Sequence, residues 1–322
     1  IHLNQEVVET SWVDDGWSVT TKSGDCHRAD VVIAATGVLH YPRFPDIDGL
    51  DSFAGDCFHS AQWPDGVDLK GKRVAVIGNG STGVQLVTAL VKQAAHVDHF
   101  QRSPQWIMPV LDCEYSDEDK ARFRADPDAI DAIRYDPEYI GNVRRFNDAI
   151  VDPKSDAMQI IAGIVRDHLE SAVADPVLRA KLRPDYVAAC KRLIYSPSYY
   201  AAVQRPNVAV VRDPIARVEA EGIRTQDGAL HPTDVIILAT GFHADKFVRP
   251  INPIGRDGVT LYSLWARRAS AFLAVSLPEF PNFFMLNGPT GPVGNFSLID
   301  IAEAQWGYID QLLELLRAGQ AG

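Results

Sequence analysis

Three glycines, Gly78, Gly80 and Gly83, stand in the spacing G-x-G-x-x-G directly behind the apolar run RVAVI, residues 73–77. That spacing suits phosphate chemistry. Glycines permit a tight turn and a close backbone approach to a pyrophosphate, which then rests on the positive, amide-rich end of the helix that follows. Asn79, Ser81 and Thr82 fill the turn, and Gln85 lies one turn further on, completing the candidate dinucleotide contacts. A bare structural turn is the alternative.

The second nucleotide signal lies about 20 positions beyond Gly83, where an NAD site places an acid to grip the ribose hydroxyls. Here the run HVDHF ends in Gln101, Arg102 and Ser103. A guanidinium fork matches a phosphate, so Arg102 favours the 2′-phosphate of NADPH; a solvated surface arginine is the competing reading.

A third cluster is FAGDCFHSAQWP, which puts Phe53, Gly55, His59 and Trp63 at intervals of two, four and four ahead of the glycine turn. A lone histidine there is usually structural. Only Cys57 is near enough to share a metal, so no metal site is expected.

These groups need elements to hold them. RVAVI reads as a buried strand, VQLVTALVKQ has helical spacing at Val84, Val87, Leu90 and Val91, and HVDHF reads as the next parallel strand, giving β-turn-α-β. From about Ser116 to Val187 the composition turns to Asp, Glu, Arg and Ala, with an apolar helical stripe at Ile161, Ile164, Val165, His168 and Leu169. This predicts a helical excursion with an ordinary core. VAVV (208–211) predicts a returning strand, and 298–316 a closing helix. DVVIAATG (30–37) and DVIILATG (234–241) form a short repeat, each a run expected to be buried on both faces. The repeat predicts one sheet that is left and re-entered around an inserted domain.

The 322 residues suffice for about two domains. The net charge of −11 argues against nucleic acid as a partner, and no apolar run approaches the ~18 residues of a membrane span. Cys26, Cys57, Cys113 and Cys190 form no paired motif, which points away from disulfides and zinc and towards a reducing cytoplasm. The chain opens on Ile1 and has the look of a piece of something longer.

With these pieces in order, the sequence resembles the class B flavoprotein monooxygenases, and specifically the Baeyer–Villiger monooxygenases. Phe53, Gly55, His59, Trp63 and Pro64 match that family's fingerprint F-x-G-x-x-x-H-x-x-x-W-[P/D], and the NADP loop follows at the expected distance. Related N- and S-oxidising enzymes usually carry Tyr or Phe where Trp63 stands. QRSPQWIMP and ATGFHAD lean towards the 4-hydroxyacetophenone monooxygenase branch.

The resemblance implies an α/β fold of two dinucleotide-binding, Rossmann-like domains, the NADP domain inserted in the FAD domain. On this chain the parts would be a partial FAD domain (1–45), a linker with the fingerprint (46–66), the NADP domain in two parts (67–115 and 189–233) around a helical insert (116–188), and the rest of the FAD domain (234–322). In CKRLIYSPSYY the catalytic arginine maps onto Arg192, and Lys191 joins Arg102 and Ser103 at the 2′-phosphate. His59 and Trp63 would couple domain movement to cofactor position. PNFFMLNGPTGPVGNFSLI would pass under the flavin, so Thr36, Gly37, Ser297 and Leu298 are expected FAD contacts. The implied activity uses NADPH, FAD and O2 to convert an aryl or cyclic ketone to an ester or lactone.

No second G-x-G-x-x-G occurs, so the family's FAD loop is expected upstream, and this chain alone is not expected to hold FAD tightly. The alternatives are an N- or S-oxygenating flavin monooxygenase and a non-catalytic NADP-binding fragment. A pyridine-nucleotide disulfide reductase would need a paired cysteine motif.

Overall fold

The computed structural model describes residues 1–110, 114–291 and 297–320. Cys113 and the middle of the expected flavin segment, 292–296, lie outside them. The chain divides into two compact units: 1–43 with 242–322, and 44–241.

The 44–241 unit is built on five parallel strands in the order Val208–Val211, His96–Phe100, Arg73–Ile77, Val235–Leu238, Asp56–His59. Every residue of Val235–Leu238 is buried, as four consecutive apolar side chains require when both faces of a parallel sheet are covered. The expected β-turn-α-β unit is present, with helix Ser81–Leu90 burying Val84, Val87 and Leu90 on one stripe. Five helices between Asp117 and Leu182 make the predicted excursion. Within it Ile161, Val165 and Leu169 are buried with Met158, whereas Ile164 is 41% exposed, one helical step off the stripe.

The repeat reading is corrected in part: 44–241 is inserted between two segments of one unit, and a sheet is left at Val32–Ala34 and re-entered, but at Phe283–Met285 and not at the second run. DVIILATG forms a strand between Arg73–Ile77 and Asp56–His59, while DVVIAATG forms Val32–Ala34 in a different sheet, paired among the described residues only with Phe283–Met285. With one partner strand its residues are half-buried instead of enclosed. Two consequences follow for the boundaries. The crossing back occurs after Gly241 and not at 234, and the fingerprint is no free linker, because Asp56–His59 is an edge strand of the five-stranded sheet.

The other unit carries an antiparallel meander, Val7–Val13, Gly16–Thr21 and Cys26–Ala29. Its first hairpin turns on Asp14 and Asp15, with φ of 49° and 56°, the two-residue geometry that matches strand twist. Trp17 from the second strand is fully buried and donates its indole N–H to the Pro281 carbonyl at 2.7 Å. Helix Leu298–Arg317 closes the unit one residue beyond the expected end. Among the described residues, no helix is long and apolar enough to cross a membrane.

Candidate functional site

The fold constrains two glycines of the turn and leaves the third free. Gly78 has φ of 112°, and a Cβ there would fall 2.3 Å from the Ala239 carbonyl oxygen. A Cβ on Gly83 would fall 2.0 Å from the Gly78 carbonyl oxygen. Both glycines are therefore needed by the fold itself. Gly80 differs, since a Cβ there would meet nothing within 4 Å. It caps helix Ser81–Leu90 without a side-chain hydrogen bond, and no acidic residue lies in the first turn. The helix's first amides and partial positive charge are thus left for an anion, with open space over Gly80 to admit it. These residues fit a dinucleotide pyrophosphate.

A buried histidine anchors the turn from below. His99 is fully buried; its Nε2–H donates to the Gly78 carbonyl at 3.1 Å, and its Nδ1 accepts from the Tyr199 hydroxyl at 3.2 Å. Because a carbonyl can only accept, Nε2 must carry a proton, and Nδ1, which accepts the Tyr199 hydroxyl, carries none. Burial pushes His99 down to about 4 and Tyr199 upward. Asn79 donates from Nδ2 to Gln101 Oε1 at 2.9 Å and to the Ser103 carbonyl at 2.6 Å, which ties the turn to the end of the next strand. Sequence reasoning missed His99, Gln101 and Tyr199. The available signal was a histidine inside the apolar run HVDHF.

At the ribose end, Lys191 Nζ donates to Ser103 Oγ at 3.0 Å and stands 4.4 Å from the Tyr186 ring centroid. Tyr186 in turn donates its hydroxyl to Gln105 Oε1 at 2.6 Å, and its carbonyl accepts from the Trp106 indole at 2.8 Å. The short parallel pair Ile107–Met108 and Ile194–Tyr195 explains the meeting, since it brings the chain after Leu182 alongside 103–106. Arg102 and Arg192 are exposed, and neither makes a hydrogen bond or ion pair with a described residue. The structure thus joins Ser103 to Lys191 and leaves both guanidinium groups available.

Two of the fingerprint residues, Gly55 and His59, contact the chain on either side of strand Val235–Leu238. Phe53 packs on the core of Ala75, Ile77, Ile236 and Leu238. A Cβ on Gly55 would fall 2.2 Å from the carbonyl oxygen of Asp234, just ahead of Val235–Leu238. Asp234 is locked to Arg73 at 2.6 Å, and that guanidinium holds its carboxyl down to about 2. At the other end His59, fully buried, donates from Nε2 to the Gly241 carbonyl at 3.0 Å and accepts the Ala61 N–H on Nδ1 at 3.1 Å. Burial lowers its pKa, so it too is neutral. Its ring lies 5.6 Å from that of Phe44. Trp63 is 42% exposed and meets Phe58 edge-on at 5.0 Å.

In the other unit, Thr36 and Gly37 follow strand Val32–Ala34 and are exposed. Thr36 lines a cavity of about 400 Å³ with His40, Val248, Arg249 and Phe283. Ser297 caps helix Leu298–Arg317 by accepting from the Ile299 and Asp300 amides, and Leu298 lines a separate cavity of about 460 Å³ with Asn287 and Trp306. Thr36 and Leu298 therefore line different cavities. Among the described residues of this unit no glycine-rich strand-to-helix turn offers a second pyrophosphate cradle, so those residues fit only part of a FAD site.

The chain is similar to known proteins along nearly its whole length. The profile of the family described as pyridine nucleotide-disulphide oxidoreductase matches residues 1–120. An uncharacterized monooxygenase of Mycobacterium bovis is 43% identical over 320 residues, 99% of this chain and 64% of the relative. A Baeyer–Villiger monooxygenase of Streptomyces coelicolor is 34% identical over 98% of the chain and 60% of the relative. The open crystal structure of cyclohexanone monooxygenase superposes with a TM-score of 0.84 at 34% identity, covering 98% of this chain and 69% of that one. The chain thus spans less than two thirds of the length of these two curated relatives.

Proposed function

Since the chain belongs to the Baeyer–Villiger monooxygenase family of class B flavoprotein monooxygenases, we propose that the protein carrying it uses NADPH, FAD and O2 to insert one oxygen atom beside the carbonyl of an aryl or cyclic ketone, giving an ester or lactone. One observation supports this best. Gly55 and His59 of the fingerprint hold the two ends of the Val235–Leu238 strand, and the residue that follows, Ala239, presents its carbonyl to Gly78 of the dinucleotide turn. The fingerprint and the nucleotide cradle are one packed assembly.

NADPH supplies hydride and FAD the oxygen-activating chemistry when they are bound. This chain's residues do the rest on the NADPH side. The amides after Gly80 receive the pyrophosphate; Arg102, Ser103 and Lys191 receive the 2′-phosphate, replacing the acid an NAD site would use. Arg192 is the candidate catalytic residue: a planar, always charged guanidinium suited to stabilise negative charge developing on the ketone oxygen. His59 and Trp63 are positioning residues; His59, bonded to Gly241 where the chain leaves this unit, is neutral and held on both nitrogens, which suits a mechanical role better than proton transfer. Thr36, Gly37, Ser297 and Leu298 are the chain's contributions towards FAD.

The test is product identity. The full-length protein with NADPH and O2 should convert cyclohexanone or 4-hydroxyacetophenone to the lactone or ester, measured by gas chromatography–mass spectrometry. Oxygenation of amines or sulfides alone would favour the N- or S-oxidising alternative.

A further inference from the structure

The ammonium of Lys191 rests on an aromatic face that neither the motifs nor the fingerprint accounts for. We propose that Tyr186 is a positioning residue that sets the preference for a 2′-phosphorylated nucleotide by holding the Lys191 ammonium over its ring, beside Ser103. The inference rests on the reading of Lys191 and Arg102 as the 2′-phosphate site.

A lysine on a flexible four-carbon stem is a poor specificity element unless something fixes its head. Ser103 supplies one neutral acceptor at 3.0 Å. Tyr186 supplies the other partner, with its ring centroid 4.4 Å from Nζ, within range of a cation–π attraction. The ring is not itself free to wander. Its hydroxyl is bonded to Gln105 at 2.6 Å and its backbone carbonyl to Trp106 at 2.8 Å, so the platform is fastened at both ends to the segment that carries Arg102 and Ser103. Burial raises the phenol's pKa and keeps it uncharged, so no phenolate competes for the ammonium. A ring attracts the cation without neutralising it, as a carboxylate would. The charge therefore remains available to a phosphate.

The experiment is isothermal titration of the protein with adenosine 2′,5′-bisphosphate and with adenosine 5′-monophosphate. Tyr186→Leu should weaken the bisphosphate by about three- to tenfold and change the monophosphate less than about twofold. Tyr186→Phe, which keeps the ring and its backbone tie to Trp106 but loses the bond to Gln105, should weaken the bisphosphate clearly less than Tyr186→Leu and leave the monophosphate within about twofold. In a Lys191→Met background, Tyr186→Leu should have no further effect on the ratio. Equal weakening of both ligands would overturn the inference in favour of a general structural role, and so would a Tyr186→Phe loss as large as that of Tyr186→Leu. If the unaltered protein prefers the bisphosphate and Tyr186→Leu keeps that preference, this inference fails alone; if it shows no preference, the 2′-phosphate reading fails and takes the inference with it.

Discussion

Substituting alanine for Gly80 should separate ligand binding from folding. A methyl group there meets no protein atom within 4 Å, and the backbone, at φ −67° and ψ −173°, lies in a region alanine adopts freely. Exchanging a glycine N-cap for alanine costs about 0.5–1 kcal/mol, and the stiffer unfolded chain returns about 0.4–1 kcal/mol. The net change in stability should stay within ~0.5 kcal/mol, a shift of at most a few degrees in Tm. Binding should respond differently, because the new methyl occupies the space over the helix amides. Losing one or two charge-assisted hydrogen bonds at about 1.5–3 kcal/mol each weakens binding by roughly tenfold to several hundredfold. As the pyrophosphate is common to both nucleotides, NADP+ and NAD+ should suffer alike. Gly83→Ala is the contrast: its Cβ would fall 2.0 Å from a backbone oxygen, an overpacking that should cost ~1–3 kcal/mol or more and lower Tm visibly. Calorimetric unfolding and nucleotide titration of both variants supply the assay. Wild-type affinity in Gly80→Ala, or a loss confined to NADP+, would refute the placement of the pyrophosphate.

Arg102→Ala should weaken NADPH by roughly tenfold or more and leave NADH nearly untouched, since one charge-assisted contact to the 2′-phosphate is worth about 1.5–3 kcal/mol; equal losses would mark Arg102 as structural. In the full-length protein Arg192→Ala should still oxidise NADPH but lose ester formation by ~10²–10³, with hydrogen peroxide released instead, and Arg192→Lys should rescue poorly; near-normal ester yield would remove Arg192 from the chemistry. His59→Ala in that protein should alter kcat and KM together through mispositioning, whereas a pure loss of the insertion step would point to direct acid–base work. His99 should make stability pH-dependent. Its ordinary value of 6.5 falls to about 4 in the fold, so below pH 6.5 the unfolded chain takes up a proton that the native state refuses. Stability is thus full above pH 6.5 and should decline by up to ~3 kcal/mol towards pH 4, and His99→Gln should flatten that slope in denaturant titrations at pH 7, 5.5 and 4.5.

Much of the nucleotide unit was legible because its signals are local. A strand, a glycine turn and an amphipathic helix are contiguous in 73–91, and each dictates its own backbone. What escaped depends on partners distant in sequence. The two near-identical runs 30–37 and 234–241 carry the same local preference, yet one pairs with Asp56–His59 and Arg73–Ile77 and the other with Phe283–Met285; nothing in either run encodes that choice. The antiparallel strands from Val7 to Ala29 were missed because they are short and mixed in polarity, with the turn carried by two aspartates instead of glycine. At the site, Gly78 and Gly83 were readable from spacing and Ser103 was named through the family resemblance, while Tyr199 and Tyr186 make contacts that only the fold creates.

The histidine of the fingerprint has one further consequence. His59 lies beside the ring of Phe44 and holds the carbonyl of Gly241, the first and last residues of the 44–241 unit. Both severed ends of that unit, were it cut from the chain, would therefore lie at one point, already clasped by a side chain belonging to the unit. All five strands of the sheet lie within residues 44–241. Adjacent ends are the geometry that lets a compact unit sit within another chain without spreading the point of insertion.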